Sequence, residues 1–214
     1  MPDRSDSRRL FSLTIGILLV ATVSAAAQRQ ERPSRDEWQQ PARVMAELHL
    51  KPGDVVADVG CGRGYFLFRF AEAVGDEGKA LGVDISESAL DAARKRAQEQ
   101  DVTNVELVLS EPTDTKLQPD SMDVAFICMV LHHVPKDQQQ PLLESVAKSL
   151  KPGGYLYVID VKQGVETPFR WHGEQLPREE LTEKATAAGL TLNADFYCLQ
   201  YHYFIRFMKP EPEK

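Results

Sequence analysis

The stretch that decides the fold is VVADVGCGRGYF, residues 55–66. Its first five residues are mostly β-branched and predict a short buried strand, and a helical pattern begins at Tyr65. Glycines at Gly60, Gly62 and Gly64 permit positive φ and allow a ligand to lie against the backbone. Free N–H groups at the start of the helix would favour an anionic group there. The stretch therefore predicts a ligand-binding loop between a strand and a helix.

Strands and helices alternate outward from this loop. Apolar runs predict strands at residues 55–59, 79–84, 105–109, 122–128 and 155–160. Helical patterns cover 41–50, 65–74, 86–100 and 135–150, with Ser86 as an N-cap and a kink or break expected at Pro141. This order predicts a parallel sheet covered by helices on both faces. After a helix ending at Gly189, the runs 190–199 and 201–208 are expected to pair as an antiparallel hairpin at the sheet edge.

A second binding feature is Asp84, which closes the strand at 79–84. An acid at this place can accept hydrogen bonds from both ribose hydroxyls of an adenosine. The glycines run G-x-G-x-G, whereas the dinucleotide fingerprint is G-x-G-x-x-G, so a nicotinamide-dependent oxidoreductase is disfavoured. The sequence contains no G-x-x-x-x-G-K-[ST], which excludes a P-loop.

Together these motifs resemble the class I S-adenosylmethionine-dependent methyltransferases. The family's first motif, an acid before G-x-G-x-G, is here VVADVGCGRGYF, and its ribose acid lies here in VDIS. PDSMDVAFICMVLHHV and LKPGGYLYVID look like the family's fourth and fifth strands. The resemblance covers about residues 41–208. It implies a Rossmann-like three-layer α/β/α sandwich, with a seven-stranded, mostly parallel sheet and an antiparallel C-terminal edge hairpin.

The resemblance implies S-adenosyl-L-methionine as the cofactor and gives roles to the glycine loop. The backbone at Gly60, Gly62 and Gly64 would lie against the methionine part and the ribose. Asp58 would orient the methionine amino group, directly or through water.

The adenosine half is assigned in the same way. Asp84 would hold the ribose hydroxyls, and Ile85 would pack on the adenine. The family usually has a Gly-Asp pair near the adenine edge, and here the pair is Ser110-Glu111. Glu111 is therefore the implied adenine contact, with Asp114 as a rival.

His132 and His133 follow the fourth strand, where the family places substrate-facing residues. Either could act as a base near neutral pH, or one could pack a loop while the other faces solvent. A base is needed only if the acceptor must lose a proton. The amino-methylating DNA enzymes carry N/D-P-P-Y/F at this point, and CMVL at 128–131 disfavours that subgroup. His172 and His202 are isolated and are expected to lie at the surface or in packing.

Charge and cysteine content limit the partners. A formal net charge of −7 argues against a nucleic-acid partner, which would need a basic face. Three cysteines without C-x-x-C spacing give no support for a metal site. Few residues remain for a separate substrate domain, so a small-molecule acceptor is favoured.

The N-terminal 27 residues differ from the rest of the chain. Arg4, Arg8 and Arg9 precede LFSLTIGILLVATVSAAA, residues 10–27, which carries no charge. This order predicts a cleaved signal peptide, and the paired arginines resemble the twin-arginine export pattern. An uncleaved membrane anchor formed by residues 10–27 is the alternative. The expected localisation is thus periplasmic or secreted, and any membrane contact would be made through this segment alone.

The polar residues 28–40 are interpreted as a linker, and residues 41–209 as the methyltransferase domain. The leading functional hypothesis is methyl transfer from S-adenosylmethionine to a small-molecule acceptor. Because the cofactor is made in the cytoplasm, the export signal raises an alternative, an exported non-catalytic binding module that keeps the fold.

Overall fold

The computed structural model describes residues 33–170 and 173–212. The predictions made for the N-terminal segment of residues 1–27 and for His172 lie outside the described residues.

One seven-stranded sheet organises the described part of the chain. Its strands are β1 Val55–Val59, β2 Lys79–Asp84, β3 Val105–Leu109, β4 Met122–Cys128, β5 Leu150–Val161, β6 Thr191–Phe196 and β7 His202–Met208. Their spatial order is β3-β2-β1-β4-β5-β7-β6. Strands β1 to β5 pair in parallel, and β7 pairs antiparallel with both β5 and β6. The predicted, mostly parallel sheet with a C-terminal hairpin at its edge is confirmed.

Six α-helices flank the sheet in the described residues. They are α1 Arg35–Gln39, α2 Pro41–Leu48, α3 Leu67–Val74, α4 Glu87–Glu99, α5 Lys136–Ser149 and α6 Arg178–Ala187. A 3-10 turn covers Leu131–His133. The hydroxyl of Ser86 accepts a hydrogen bond from the Ala89 N–H, so the N-cap predicted for α4 is confirmed.

Two local predictions need correction. The linker expected at 28–40 is wrong at its C-terminal end, because α1 occupies Arg35–Gln39 and the Gln39 side chain is fully buried. Contacts with distant residues hold this polar helix, and no local apolar pattern reveals them. At Pro141 a kink or a break was expected; the break does not occur, since α5 is continuous, and the kink stays a prediction. Pro141 lies on the exposed side, where water can hydrate the carbonyl left without its helical partner.

Alternation along the strands divides the apolar core between the two faces of the sheet. On one face, Ile127 and Val158 pack with Leu143 of α5. On the other, Val56 and Phe126 pack with residues of α2 and α3. The sheet is therefore the middle layer of a three-layer α/β/α sandwich. Because β1, β2, β4 and β5 are parallel, their carboxyl ends meet at one edge, where ligands of open α/β sheets bind.

Candidate active site

The glycine loop that follows β1 has a left-handed backbone at all three glycines. φ is 77° at Gly60, 55° at Gly62 and 81° at Gly64. A Cβ added at Gly60 would lie 2.3 Å from Cγ2 of Val130, and one at Gly64 would lie 2.5 Å from the Phe68 ring. A Cβ at Gly62 would meet nothing within 4 Å. Packing thus requires Gly60 and Gly64, while the backbone at Gly62 faces open space that a ligand can approach.

Asp84 ties this loop to the end of β2. One carboxylate oxygen, Oδ2, accepts from the Gly62 N–H at 2.7 Å, and Oδ1 accepts from the Ser86 N–H at 2.9 Å. Each oxygen can accept a second hydrogen bond, so two hydroxyls can still be bound. The next residue, Ile85, is 63% exposed and forms an apolar platform beside the carboxylate. The predicted ribose acid and adenine platform are therefore neighbours of the loop.

Asp58 lies beneath the loop and is almost completely buried. Burial raises the pKa of Asp58 to about 7, the nearby Arg35 guanidinium and the Leu67 N–H oppose the rise, and Asp84 adds to it. A buried carboxyl whose pKa lies near 7 is suited to pairing with the cationic group of an incoming ligand. The arrangement fits the ammonium group of a bound amino acid.

The loop after β3 contains both acids that were considered for the adenine edge. Lys116 Nζ lies 2.9 Å from the carboxylates of Glu111 and Asp114. Asp114 also accepts from the backbone N–H of Lys116, and these bonds lower the pKa of Asp114. Asp114 thus stabilises its own loop, and both Glu111 and its rival Asp114 stay predictions for the adenine edge.

A buried histidine–aspartate pair lies at the carboxyl ends of β4 and β5. Nδ1 of His132 is 2.6 Å from Oδ1 of Asp160, and each side chain is only 2% exposed. The second oxygen of Asp160 accepts from the His132 N–H at 3.2 Å. His133 is exposed, so the structure separates the two histidines that the sequence left as equal candidates. Asp160 was missed, although its place at the end of a parallel strand was a usable signal.

The segment between β4 and His132 connects this pair to the glycine loop. Val130 packs against Gly60, as the near contact of an added Cβ shows. Met129 has a φ of 60°, which is uncommon for a residue other than glycine. Its N–H donates to the carbonyl of Ile159 at 2.9 Å. Strained backbone of this kind concentrates at functional sites.

Helix α1 packs over the same strand ends. The Arg35 guanidinium lies 3.7 Å from the centre of the Tyr65 ring, just after the glycine loop. The Gln39 amide donates from Nε2 to the Cys128 sulfur at 3.1 Å. The Trp38 ring stacks on Phe169 with centroids 4.2 Å apart. The polar α1 therefore forms a wall of the site that the sequence did not reveal.

His202 begins β7, opposite Val161 at the end of β5. Its ring is stacked on Phe169 with centroids 5.4 Å apart and lies 5.7 Å from the Trp38 ring. The sequence left two places open for His202, the surface or a packed position. The residue is fully buried, so it is packed. Burial lowers the pKa of His202 to about 4, helped by Lys162 and Arg35, while Asp160 opposes the shift. His202 is thus neutral at pH 7.

Metal binding finds no support in the described part of the chain. No group of three or more His, Cys, Asp and Glu residues within it could hold a metal ion. Burial also raises the pKa of the Cys61 and Cys128 thiols, so both remain protonated.

A family model described as a methyltransferase domain matches residues 50–206. The demethylmenaquinone methyltransferase of Listeria welshimeri is 34% identical over 120 residues, 56% of this chain and 50% of that protein. The corresponding enzyme of Oceanobacillus iheyensis is 30% identical over 127 residues, 59% of this chain and 52% of that protein. The chain thus spans about half the length of the curated relatives it matches.

Among solved structures, a SAM-dependent methyltransferase from Aquifex aeolicus superposes with a TM-score of 0.69 and 27% identity. The superposition covers 83% of this chain and 93% of that one.

Proposed function

The chain belongs to the methyltransferase-domain family, and from this premise we propose that it transfers a methyl group from S-adenosylmethionine to a small-molecule acceptor. The observation that carries the proposal is the buried His132–Asp160 pair at the carboxyl ends of β4 and β5. The segment just before His132 packs through Val130 against Gly60 of the glycine loop. The names of the curated relatives support a small acceptor, since theirs is a demethylmenaquinone.

S-adenosylmethionine is the family's cofactor, and the residues of the glycine loop fit it. Three features support the fit: open space over Gly62, a buried acid at Asp58 whose pKa is about 7, and an exposed apolar side chain at Ile85. We propose that Asp58 pairs with the methionine ammonium, Asp84 accepts from the ribose hydroxyls, and Ile85 packs on the adenine. Glu111 is the proposed contact at the adenine edge.

When bound, this cofactor supplies a methyl group that its positive sulfur has already activated. The protein then has to align the acceptor, exclude water and, where needed, remove a proton. We propose that His132 takes that proton. A histidine whose Nδ1 donates to a carboxylate presents Nε2 as its basic nitrogen, so we propose Asp160 as a positioning residue for the base.

The proposed function is tested with S-adenosylmethionine labelled in its methyl group. The protein is incubated with the small-molecule and the macromolecular fractions of an extract from its own source cells. Label is expected in the small-molecule fraction, with S-adenosylhomocysteine released in equal amount. Label found only in macromolecules would overturn the small-acceptor proposal. Binding of cofactor without any acceptor-dependent release would favour the non-catalytic module.

The raised pKa of Asp58 predicts that cofactor affinity depends on pH. The ligand ammonium favours the carboxylate, so binding releases a proton wherever free Asp58 is protonated, below about pH 7. Affinity for S-adenosylhomocysteine should therefore fall about tenfold from pH 8 to pH 6. Calorimetric titration measures this, and Asp58→Asn should bind more weakly with a flat pH profile. A sloping profile in the Asn variant would assign the proton to another group.

The role of residues 1–27 is a separate proposal. We propose that this segment exports the domain and is removed after Ala27, with retention of residues 10–27 as an anchor as the alternative. No helix within 33–170 and 173–212 is long and apolar enough to cross a membrane. N-terminal sequencing of the natural protein tests the proposal: a chain that begins at Gln28 supports it, and intact Arg8 and Arg9 contradict it.

A further inference from the structure

We propose that Arg35 of α1 binds the carboxylate of the cofactor's methionine part and so makes the site selective for ligands that keep this carboxylate. This inference rests on the proposed function and deepens it, because it assigns a specificity-determining residue outside the glycine loop and its two acids.

Helix α1 brings Arg35 to the glycine loop. At the end of the helix, Nε2 of Gln39 donates to the sulfur of Cys128, the last residue of β4, at 3.1 Å. Arg35 precedes Gln39 by four residues, so the two side chains lie on the same face of α1. The Arg35 guanidinium lies 3.7 Å from the centre of the Tyr65 ring, and Tyr65 directly follows Gly64. This face of α1 therefore extends from the end of β4 to the glycine loop.

Contacts around Tyr65 orient the Arg35 guanidinium. The Tyr65 hydroxyl donates to Oδ1 of Asp36, and the Arg69 guanidinium lies 3.6 Å from the same oxygen. Arg69 also lies 4.5 Å from the centre of the Tyr65 ring. The ring is thus fixed in place, and its face attracts the Arg35 charge by a cation–π interaction. Because Arg35 is oriented before a ligand arrives, less entropy is lost when it binds one.

Arg35 and Asp58 form a complementary pair of charges for an α-amino acid group. Asp58 accepts from the N–H of Leu67, two residues after Tyr65, and Arg35 has the largest effect among the groups that lower the pKa of Asp58. The two charges are therefore near each other. They are not in contact, because Arg35 forms no ion pair with a carboxylate within residues 33–170 and 173–212.

The chemistry of the ligand fits this separation. An α-amino acid carries its ammonium and its carboxylate on one carbon, so their partners must be close together without touching each other. Asp58 is the proposed partner of the ammonium, and Arg35 supplies the opposite charge for the carboxylate. A guanidinium binds a carboxylate by charge-assisted hydrogen bonds, which are stronger than neutral ones. The open space over Gly62 leaves the ligand access to the loop between them.

Arg63 is the rival cation, since it is exposed between Gly62 and Gly64. In the part of the chain that the structure describes, no ring contact or ion pair orients its side chain. The cation that lowers the pKa of Asp58 is Arg35. Orientation and charge therefore both favour Arg35 over Arg63.

The test compares S-adenosylhomocysteine with its decarboxylated analogue, 5′-deoxy-5′-(3-aminopropylthio)adenosine, which differs only in lacking the carboxylate. Each is titrated calorimetrically into the full-length protein. The wild type should bind S-adenosylhomocysteine about tenfold more tightly than the analogue. Arg35→Gln should reduce this preference to about twofold or less, with the affinity for the analogue retained. Arg94→Gln is the matched control, because Arg94 is an exposed arginine on α4 that pairs with Asp91.

Two Tyr65 variants test the inference on a different element if Arg35→Gln does not fold. Tyr65→Leu removes the ring that orients Arg35 and should reduce the carboxylate preference, whereas Tyr65→Phe keeps the ring and should retain it. The inference is overturned if Arg35→Gln keeps the full preference, or if Arg63→Gln alone abolishes it. A wild type that binds both ligands equally overturns this inference alone, whereas failure to bind either ligand overturns the proposed function as well.

Discussion

Replacing Asp160 by Asn is expected to lower kcat by about 10²- to 10³-fold, with little change in the affinity for S-adenosylhomocysteine. The carboxylate accepts from Nδ1 of His132 at 2.6 Å in a site where both side chains are almost completely buried. An amide can present its NH₂ to that nitrogen and so favour the tautomer in which Nε2 carries the hydrogen. In that tautomer His132 cannot take a proton from the acceptor. Positioned general bases contribute about 10²- to 10⁴-fold in rate, which sets the expected loss.

The measurement is steady-state methyl transfer at saturating cofactor, with the acceptor found by isotope transfer. His132→Gln should lose about as much kcat as Asp160→Asn, and the double variant little more, because residues acting as one unit are not additive. His133→Gln is the matched control, since its side chain is exposed next to the same turn. A purely structural role for Asp160 would instead give additive losses together with weaker cofactor binding.

A fall of kcat only in His133→Gln would move the base to that residue. If His132→Gln and the double variant both kept kcat within threefold of the wild type, the reaction would not need His132 as a base. The acceptor would then already lack the proton in question when it binds.

The glycine loop and its two acids were predictable because each is encoded locally. A β-branched strand followed by three spaced glycines defines the loop at Gly60, and the next strand ends in Asp84. The structure brings these residues together by one hydrogen bond, from the Gly62 N–H to Asp84. Parallel pairing of β1 and β2 is enough to produce that contact.

The other half of the site depends on contacts between residues that are distant in sequence. His132 and Asp160 are separated by 28 positions, and Gln39 and Cys128 by 89. No periodicity in the polar segment around Trp38 predicts that it packs on Phe169. Hydrophobic patterning identifies what folds into the sheet, but not which polar side chains the fold then brings to its edge. On the acceptor side the sequence therefore offered His132 and His133 as candidates, but it could not choose between them, and Asp160 was missed despite its strand-end position.

Replacing Asp84 by Ala is expected to weaken S-adenosylhomocysteine binding by about 100-fold or more. The proposed contact is a carboxylate that accepts from two ribose hydroxyls, and each hydrogen bond to a charged group contributes about 1.5 kcal/mol or more. Two such bonds correspond to about 3 kcal/mol, or about 100-fold in Kd. The Gly62 N–H also loses its acceptor, which loosens the loop that carries the ligand. Calorimetric titration measures the change in Kd.

A second ligand pair separates direct ribose contact from a loosened loop. The wild type should bind adenosine more tightly than 2′,3′-dideoxyadenosine, and Asp84→Ala should bind the two equally. Asp91→Ala is the matched control, because Asp91 is an exposed acid on α4 that pairs with Arg94. If the adenosine preference survived in Asp84→Ala, the carboxylate would act only through the Gly62 backbone, and the ribose hydroxyls would be held by another residue. An affinity within threefold of the wild type would remove Asp84 from the cofactor site altogether.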